Sequence, residues 1–375
     1  MNKNINLEKY HKELIKVSRN QLLKYPEQTI KQKIKSIIKS LLKRQLSFKT
    51  DRYFWPNGLL AISLEYSHRL TNDRKDIKYL ERYFNNWIKD GTRIINADYA
   101  TNGYALIYLY NIKKRKKYLK IINQLAQYIL SLEKAKDGSI PYRENNGDKI
   151  YVDLIGLTCP FLARYYNFKK DEEALDLCIF QLKNYLSYGM CHVTELPYHA
   201  YSADTGTKLG IIGWGRGVAW LLIGLVDSLE YIPENHKDYK YLKESLQRLV
   251  ETVLTYQNKS GGYNWQLQAK DGYFDSSATS MISYALLKGI ILGFISLDYL
   301  KNINKDINAL YTVSTNGFVK HSSAECRGLS VYPQKYENNP WSQGPTTSLV
   351  ALLLQNQDKL DFYKIYHYSK LKKQV

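Results

Sequence analysis

A closed ring of helical hairpins, an (α/α)6 toroid of the all-α class, is predicted by three features of the sequence. Six times, a stretch rich in Trp, Asn, Asp or Gly runs straight into an apolar, helix-compatible segment. These starts recur roughly every 45–65 residues, a spacing that signals a repeat architecture. Each apolar segment is followed by a more polar, often Lys-rich one, such as Arg74–Lys89, Lys116–Glu133 and Tyr239–Tyr256. A helix apolar on every side must be buried, and a one-faced helix lies outside it, so the alternation reads as an inner and an outer ring.

The six starts are met in order. Trp55-Pro56-Asn57-Gly58 precedes Leu59–Tyr66, and Asp98-Tyr99-Ala100-Thr101-Asn102-Gly103 precedes Tyr104–Tyr110. Asp153 precedes Leu154–Tyr166, and Trp214-Gly215-Arg216-Gly217 precedes Val218–Tyr231. Asp275-Ser276-Ser277 precedes Ala278–Ile291, and Trp341-Ser342-Gln343-Gly344 precedes Pro345–Leu354. In a closed ring the polar and aromatic residues of these starts gather at one mouth, which forms a pocket. The chain of 375 residues shows no Pro/Gly/Ser-rich linker. One domain over residues 1–375 is expected, with the N-terminal 45 or so residues forming the first outer helices.

Composition narrows the function. No apolar run reaches about 18 residues, so no membrane insertion is expected. The polar N-terminus lacks the apolar stretch of a signal peptide, which makes the cytoplasm the default location. Cys159, Cys178, Cys191 and Cys326 form no CxxC pair, and free thiols are expected of them. The seven histidines show no metal-ligand spacing, so neither a metal nor another cofactor is expected. The net charge of +19 is spread over the outer segments, in runs such as Lys113–Lys117. It accompanies no nucleic-acid motif, so a solvated basic exterior is expected and no nucleic-acid partner. That positive field can still draw an acidic sugar toward the pocket.

The residue types at the mouth are those of carbohydrate chemistry. They include carboxylates (Asp98, Asp153, Asp275), aromatic faces (Trp55, Tyr99, Tyr151, Trp214, Trp265, Trp341) and planar donors (Asn102, His199, Arg216, Gln343). Taken singly, Asp153, Asn102 and Ser277 are equally good helix caps. Their recurrence at corresponding points of the repeats points to a site. Two carboxylates held in opposite protonation states are the usual equipment of enzymes that protonate and hydrate sugars. The catalytic candidates are Asp153 and Asp98. The substrate-binding candidates are Trp55, Asn102, His199, Trp214, Arg216, Ser277 and Trp341. Trp87 and Trp220 fall within helices and read as core.

At these residues the chain resembles glycoside hydrolase families 105 and 88, the unsaturated uronyl hydrolases. Tyr151-Val152-Asp153-Leu154 through Pro160-Phe161-Leu162-Ala163-Arg164-Tyr165 resembles one family segment, and Trp214-Gly215-Arg216-Gly217 with Trp220 resembles another. Leu225-Val226-Asp227, Tyr256-Gln257 and Ser276–Ile290 continue the likeness, so that it spans residues 50 to 350. The resemblance implies an (α/α)6 toroid and an acidic oligosaccharide substrate. It also implies an unusual reaction: an Asp-assisted hydration of the C4=C5 double bond of an unsaturated uronic acid, after which the sugar linkage collapses. Asp153 matches the catalytic acid, Asp98 the second acidic position, and His199 and Arg216 match ligand contacts. Two departures stand out. Val218-Ala219 replaces a family Asn-Gly, and the segment from Glu325-Cys326-Arg327-Gly328 to Trp341 differs from the usual ending. They leave open a divergent toroid of bacterial surface-polysaccharide metabolism, acting on another linkage or binding glycan without hydrolysis. A His-based sugar epimerase or isomerase is a third reading, against which the shortage of mouth-placed histidines counts. A non-enzymatic helical scaffold is the fourth.

Overall fold

Hydrophobic patterning resolves into twelve α-helices lying wholly within the described residues of the computed structural model, which are 5–26, 51–143 and 147–360. The odd-numbered helices lie outside: α1 (Leu7–Lys24), α3 (Arg74–Lys89), α5 (Lys116–Ser131), α7 (Glu172–Tyr188), α9 (Tyr239–Leu254) and α11 (Leu300–Thr312). The even-numbered ones lie inside: α2 (Trp55–Thr71), α4 (Ala100–Lys113), α6 (Val152–Lys169), α8 (Gly215–Leu229), α10 (Ser276–Ile291) and α12 (Pro340–Gln355). Each inner helix packs on the next, and α12 packs back on α2, so the ring closes as the repeat predicts. Residues 27–50, which hold the later part of the N-terminal stretch assigned to the first outer helices, fall outside the described residues. Within the N-terminal part α1 serves as the outer partner of α12 and α2.

The two rings differ in burial because they differ in neighbours. Outer α3 hides one stripe, Ile77, Leu80, Tyr83, Phe84 and Trp87, at helical spacing. Inner α8 is buried at every position, with helices on both flanks and one behind. Ring closure needs close backbones at chosen points. A Cβ on Gly344 would stand 2.7 Å from the Leu59 carbonyl oxygen, and one on Gly156 would stand 2.5 Å from that of Trp220. No helix among the described residues is long and apolar enough to cross a membrane.

A small antiparallel sheet covers part of the mouth: β1 (Lys149–Tyr151), β2 (Tyr198–Ser202) and β3 (Lys208–Ile212), in that order. β1 runs directly into α6 and pairs Tyr151 with Ala200, which brings His199 beside the start of α6. The β2–β3 register shifts between Tyr198 and Ala200. Gly210, at φ +75°, sits at this irregularity, where a side chain would meet the His199 Cβ at 2.8 Å. Such a bulge re-aims a side chain, and here the side chain is His199. Two further two-stranded ribbons follow α11, namely β4 (Ser314–Thr315) with β5 (Phe318–Val319), and β6 (Ser322–Ser323) with β7 (Tyr336–Glu337). The second is the base of a long hairpin that folds over the mouth.

Deeper in the ring lies a belt of buried charge that the sequence pattern does not announce. Arg164 of α6 donates two hydrogen bonds to Glu65 of α2, at 2.8 and 3.0 Å. Lys288 of α10 lies 2.7 Å from both Asp227 and Glu230. The Tyr104 ring of α4 sits beneath Arg164, 4.0 Å from its guanidinium carbon.

Candidate active site

The first question is whether the polar residues at the inner-helix starts are merely caps. Of the six inner helices, only α10 has a side-chain cap, from Asp275 to the Ser277 amide at 2.8 Å. The N-cap residues of α2, α4, α6, α8 and α12 make no side-chain cap bond. Asp153 is the second residue of α6 and Asn102 the third of α4, so neither is a cap.

A cavity of about 290 Å³ opens at this mouth. It is lined by Trp55, Asp153, His199, Trp214 and Arg216 of the expected set. Tyr142, Arg143, Tyr151, Trp220, Glu325, Cys326 and Gly328 complete the wall. Asp153 is 9% exposed and accepts a hydrogen bond from His199 Nε2 at 3.1 Å. With Nε2 donating, Nδ1 is the acceptor for the Tyr332 hydroxyl at 2.7 Å. His199 also packs 4.4 Å from Trp214 and edge-on to Tyr151 at 5.2 Å, ring centroid to ring centroid. Hydrogen bonds and rings together therefore fix the imidazole against the carboxylate. Trp55 stands edge-on to Trp220 at 5.7 Å, and Tyr151 stacks on Tyr142 at 4.8 Å. These flat apolar faces are suited to the CH-rich side of a sugar ring.

Asp98 sits one layer back. It is 1% exposed, does not line the cavity, and accepts a hydrogen bond from Arg143 Nη2 at 2.8 Å. Burial pushes its carboxyl up, against the pull of Arg143. Its Oδ1 is buried without a hydrogen-bond partner. What reaches the cavity is Arg143, whose side chain is 30% exposed.

Three other expected contacts are turned to internal work. Asn102 donates to the Tyr53 carbonyl and accepts from the Tyr83 hydroxyl, both at 2.8 Å, and does not line the cavity. Ser277 is fully buried and donates to Asp275 Oδ1 at 2.6 Å. Trp341 donates its indole N–H to the Ser323 carbonyl at 3.0 Å and supports Trp55 from behind at 5.2 Å. In each case a neighbour satisfies the polar group that sequence reading offers to a ligand.

Arg216 has a double role. It lines the cavity, yet it bonds Ser277 Oγ at 3.3 Å, the Ser323 carbonyl at 3.0 Å and the Ala324 carbonyl at 2.8 Å, together with Ser323 Oγ. Asp275 Oδ2 lies 3.8 Å away and accepts from Ser323 Oγ at 2.6 Å. The guanidinium thus pins the start of the covering hairpin, and that hairpin delivers Glu325, Cys326 and Tyr332. Burial pushes the Cys326 thiol up to about 12, so it stays protonated and is no nucleophile.

Trp220 is buried in the core, as the sequence suggests, and its ring also forms part of the cavity wall. Glu325 and Cys326 fall in the segment singled out only as a departure, and two consecutive polarisable residues beside Gly328 were the available signal. The Val218-Ala219 departure has no bearing on the cavity, because both residues are fully buried in α8 and line nothing there. Among the described residues, no group of three or more His, Cys, Asp or Glu is placed to hold a metal ion.

Comparison with known proteins agrees with this architecture. The family model described as Glycosyl Hydrolase Family 88 matches residues 29–355. The unsaturated rhamnogalacturonyl hydrolase YesR of Bacillus subtilis (strain 168) is 23% identical over 344 residues, covering 88% of this chain and 97% of its own. A crystal structure described as a possible member of the GH105 family, from Klebsiella pneumoniae, superposes with a TM-score of 0.83 at 18% identity, covering 94% and 93% of the two chains. Unsaturated glucuronyl hydrolase from Bacillus sp. GL1 superposes at 0.71 and 17% identity, covering 92% and 96%. At such identities the structures establish the toroid fold.

Proposed function

We propose, from the premise that the chain belongs to glycosyl hydrolase family 88, that this glycoside hydrolase removes an unsaturated uronic acid from the end of a short oligosaccharide. The observation that carries the reading is Asp153, in the first turn of α6, open to a cavity of aromatic faces and hydrogen-bonded to His199. The names of the relatives, which act on unsaturated rhamnogalacturonyl and glucuronyl substrates, support the same substrate class.

In this reading Asp153 donates a proton to C4 of the double bond while positive charge develops at C5. Its carboxylate then takes a proton from the water that adds to C5, so that one water is consumed and the acid is regenerated. The C5 hemiketal opens to a ketone, C1 becomes an unstable hemiacetal, and the neighbouring sugar leaves. His199 fixes the Asp153 carboxylate and, with Tyr332 behind it, can move a proton at Nε2. Trp55, Trp214 and Tyr151 present faces for the sugar, and Arg143 offers a cation to its carboxylate. Asp98 acts through Arg143.

The test is to incubate the protein with unsaturated galacturonyl and glucuronyl disaccharides and follow loss of the double bond's ultraviolet absorbance. Bacterial surface oligosaccharides run beside them. Turnover of an unsaturated disaccharide that Asp153→Asn abolishes supports the reading. Cleavage confined to saturated surface glycans, or binding without cleavage, overturns it.

A further inference from the structure

Charge bookkeeping at the mouth raises a difficulty for any acidic sugar. Although the whole chain carries +19, the cavity itself is not positive. Among the described residues, its lining holds two cations, Arg143 and Arg216, and each already faces a buried carboxylate. Asp98 lies 2.8 Å from Arg143, and Asp275 lies 3.8 Å from Arg216. The lining also holds two carboxylates, Asp153 and Glu325. Asp153 has only His199, and among the described residues Glu325 makes no hydrogen bond or ion pair. With Asp153 carrying the proton that the proposed reaction spends, an incoming uronate would still meet the Glu325 carboxylate, and like charges brought together repel. That carboxylate has to be neutralised when the sugar binds.

We infer that the site binds a sugar carboxylate together with one proton from solvent, held on Glu325, whose protonated carboxyl then donates a hydrogen bond to the anion. The inference rests on the uronate reading above and names the residue that carries the substrate's charge. A protonated carboxyl is both a donor and electrically neutral, so it removes the repulsion and supplies a contact in one step.

The surroundings favour Glu325 over its neighbours for this task. It is carried on the covering hairpin and is open to solvent at the mouth, so a proton can reach it. Protein atoms crowd it on the other sides. That desolvation, with Asp98 and Asp153 nearby, pushes its carboxyl up against the pull of Arg216 and Arg143. The titratable and charged groups around it come from every element of the wall: Asp153 at the start of α6, Arg216 in α8, Tyr142 and Arg143 before β1, and Asp98 before α4. Cys326 adjoins it and Tyr25 faces it from beyond α1. His199 and Asp153, which line the same cavity and contact each other, are the rival proton carriers.

The experiment needs no turnover. Trp55, Trp214 and Trp220 line the cavity, so ligand binding should quench their fluorescence. Galacturonate and glucuronate are titrated into the whole protein between about pH 5 and about pH 8, with galactose and glucose as neutral controls; both acids stay ionised throughout. Uronate affinity should weaken about tenfold per pH unit above the Glu325 titration, because one proton is bound with each sugar. The neutral sugars should show no such slope. Glu325→Gln, a permanent neutral donor, should bind uronate tightly and equally at both ends of the range. A flat wild-type profile overturns the inference, as does a slope that survives Glu325→Gln. If that surviving slope vanishes in His199→Gln, the proton belongs to His199. Proton-linked uronate binding without turnover of any unsaturated disaccharide would leave this inference standing and sink the proposed reaction instead.

Discussion

Replacing Asp98 by Asn separates a catalytic acid from a residue that acts through another. The Asp98 carboxylate is buried and its Oδ2 accepts from Arg143 at 2.8 Å, while the Arg143 side chain is 30% exposed. Hydrogen bonds to charged groups contribute about 1.5–3 kcal/mol. Solvent reaches the arginine, so screening reduces this to about 1–2 kcal/mol, a factor of roughly 5–30. The loss should fall on KM, because Arg143 would hold the substrate but lose its aim. The turnover number should change by less than about threefold, since Asp98 does not line the cavity. Stability should move by no more than about 1 kcal/mol, because burial already disfavours the Asp98 charge and the freed arginine can turn to water. Arg143→Ala should reproduce the KM effect, and the double variant should add little to either single one. Steady-state kinetics on unsaturated disaccharides, with urea unfolding alongside, decides the matter. A fall of 100-fold or more in kcat with KM unchanged would put Asp98 in the chemistry. No change in either constant would remove Arg143 from substrate binding.

Other expectations follow from the same structure. Asp153→Asn should lower kcat by about 10²–10⁴-fold, the usual range for a general acid, with the circular dichroism spectrum unchanged. Glu65→Ala leaves Arg164 buried without its partner and should cost about 3–5 kcal/mol in chemical denaturation. The double variant Glu65→Leu with Arg164→Met should recover most of that loss. Asp306 accepts from the Gly262 amide at 2.7 Å, Gln257 at 2.6 Å and Ser283 at 2.8 Å, and burial pushes its carboxyl from 3.8 up to about 7. A raised acid holds its proton more tightly folded than unfolded. Its contribution to stability is therefore full below the unfolded value and is lost as pH rises toward 7, with a slope of up to about 1.4 kcal/mol per pH unit. Unfolding free energy measured across that window should show the slope in the wild type and lose it in Asp306→Asn.

The ring was legible in the sequence because burial on all sides leaves a signature. An inner helix such as α8 tolerates hardly any polar residue along its length, whereas α3 needs only one stripe, and the alternation of the two is visible by eye. Asp153, His199, Trp55, Trp214 and Arg216 were legible for a related reason. They are polar or aromatic residues at points where the packing pattern of the repeat breaks, and the structure brings them to one cavity. Asn102, Ser277 and Trp341 break the pattern in the same way, yet their polar atoms meet protein partners. Sequence spacing places a side chain at the mouth but does not say whether the next layer already occupies its hydrogen bonds.

The remainder of the site depends on contacts between residues far apart in the chain. Arg143 matters because Asp98, 45 residues earlier, holds it at the wall. Arg216 reaches 107 residues forward to Ser323 and thereby fixes the hairpin that carries Glu325. Glu65 and Arg164 are 99 residues apart and meet only because the ring turns the inner helices α2 and α6 toward a common interior. No local pattern encodes such pairs: Asp98 and Arg216 are read at the mouth from their places in the repeat, but the sequence does not say which residue each one meets. The same separation explains why the +19 of the whole chain misleads about the pocket. The surplus lysines lie on exposed outer elements, where water and salt screen them beyond about 8–10 Å. Inside the mouth the balance is set by four side chains and their immediate partners. Net charge can raise the encounter rate with an acidic glycan, whereas under the proposal above the protonation of Glu325 sets how long the glycan stays.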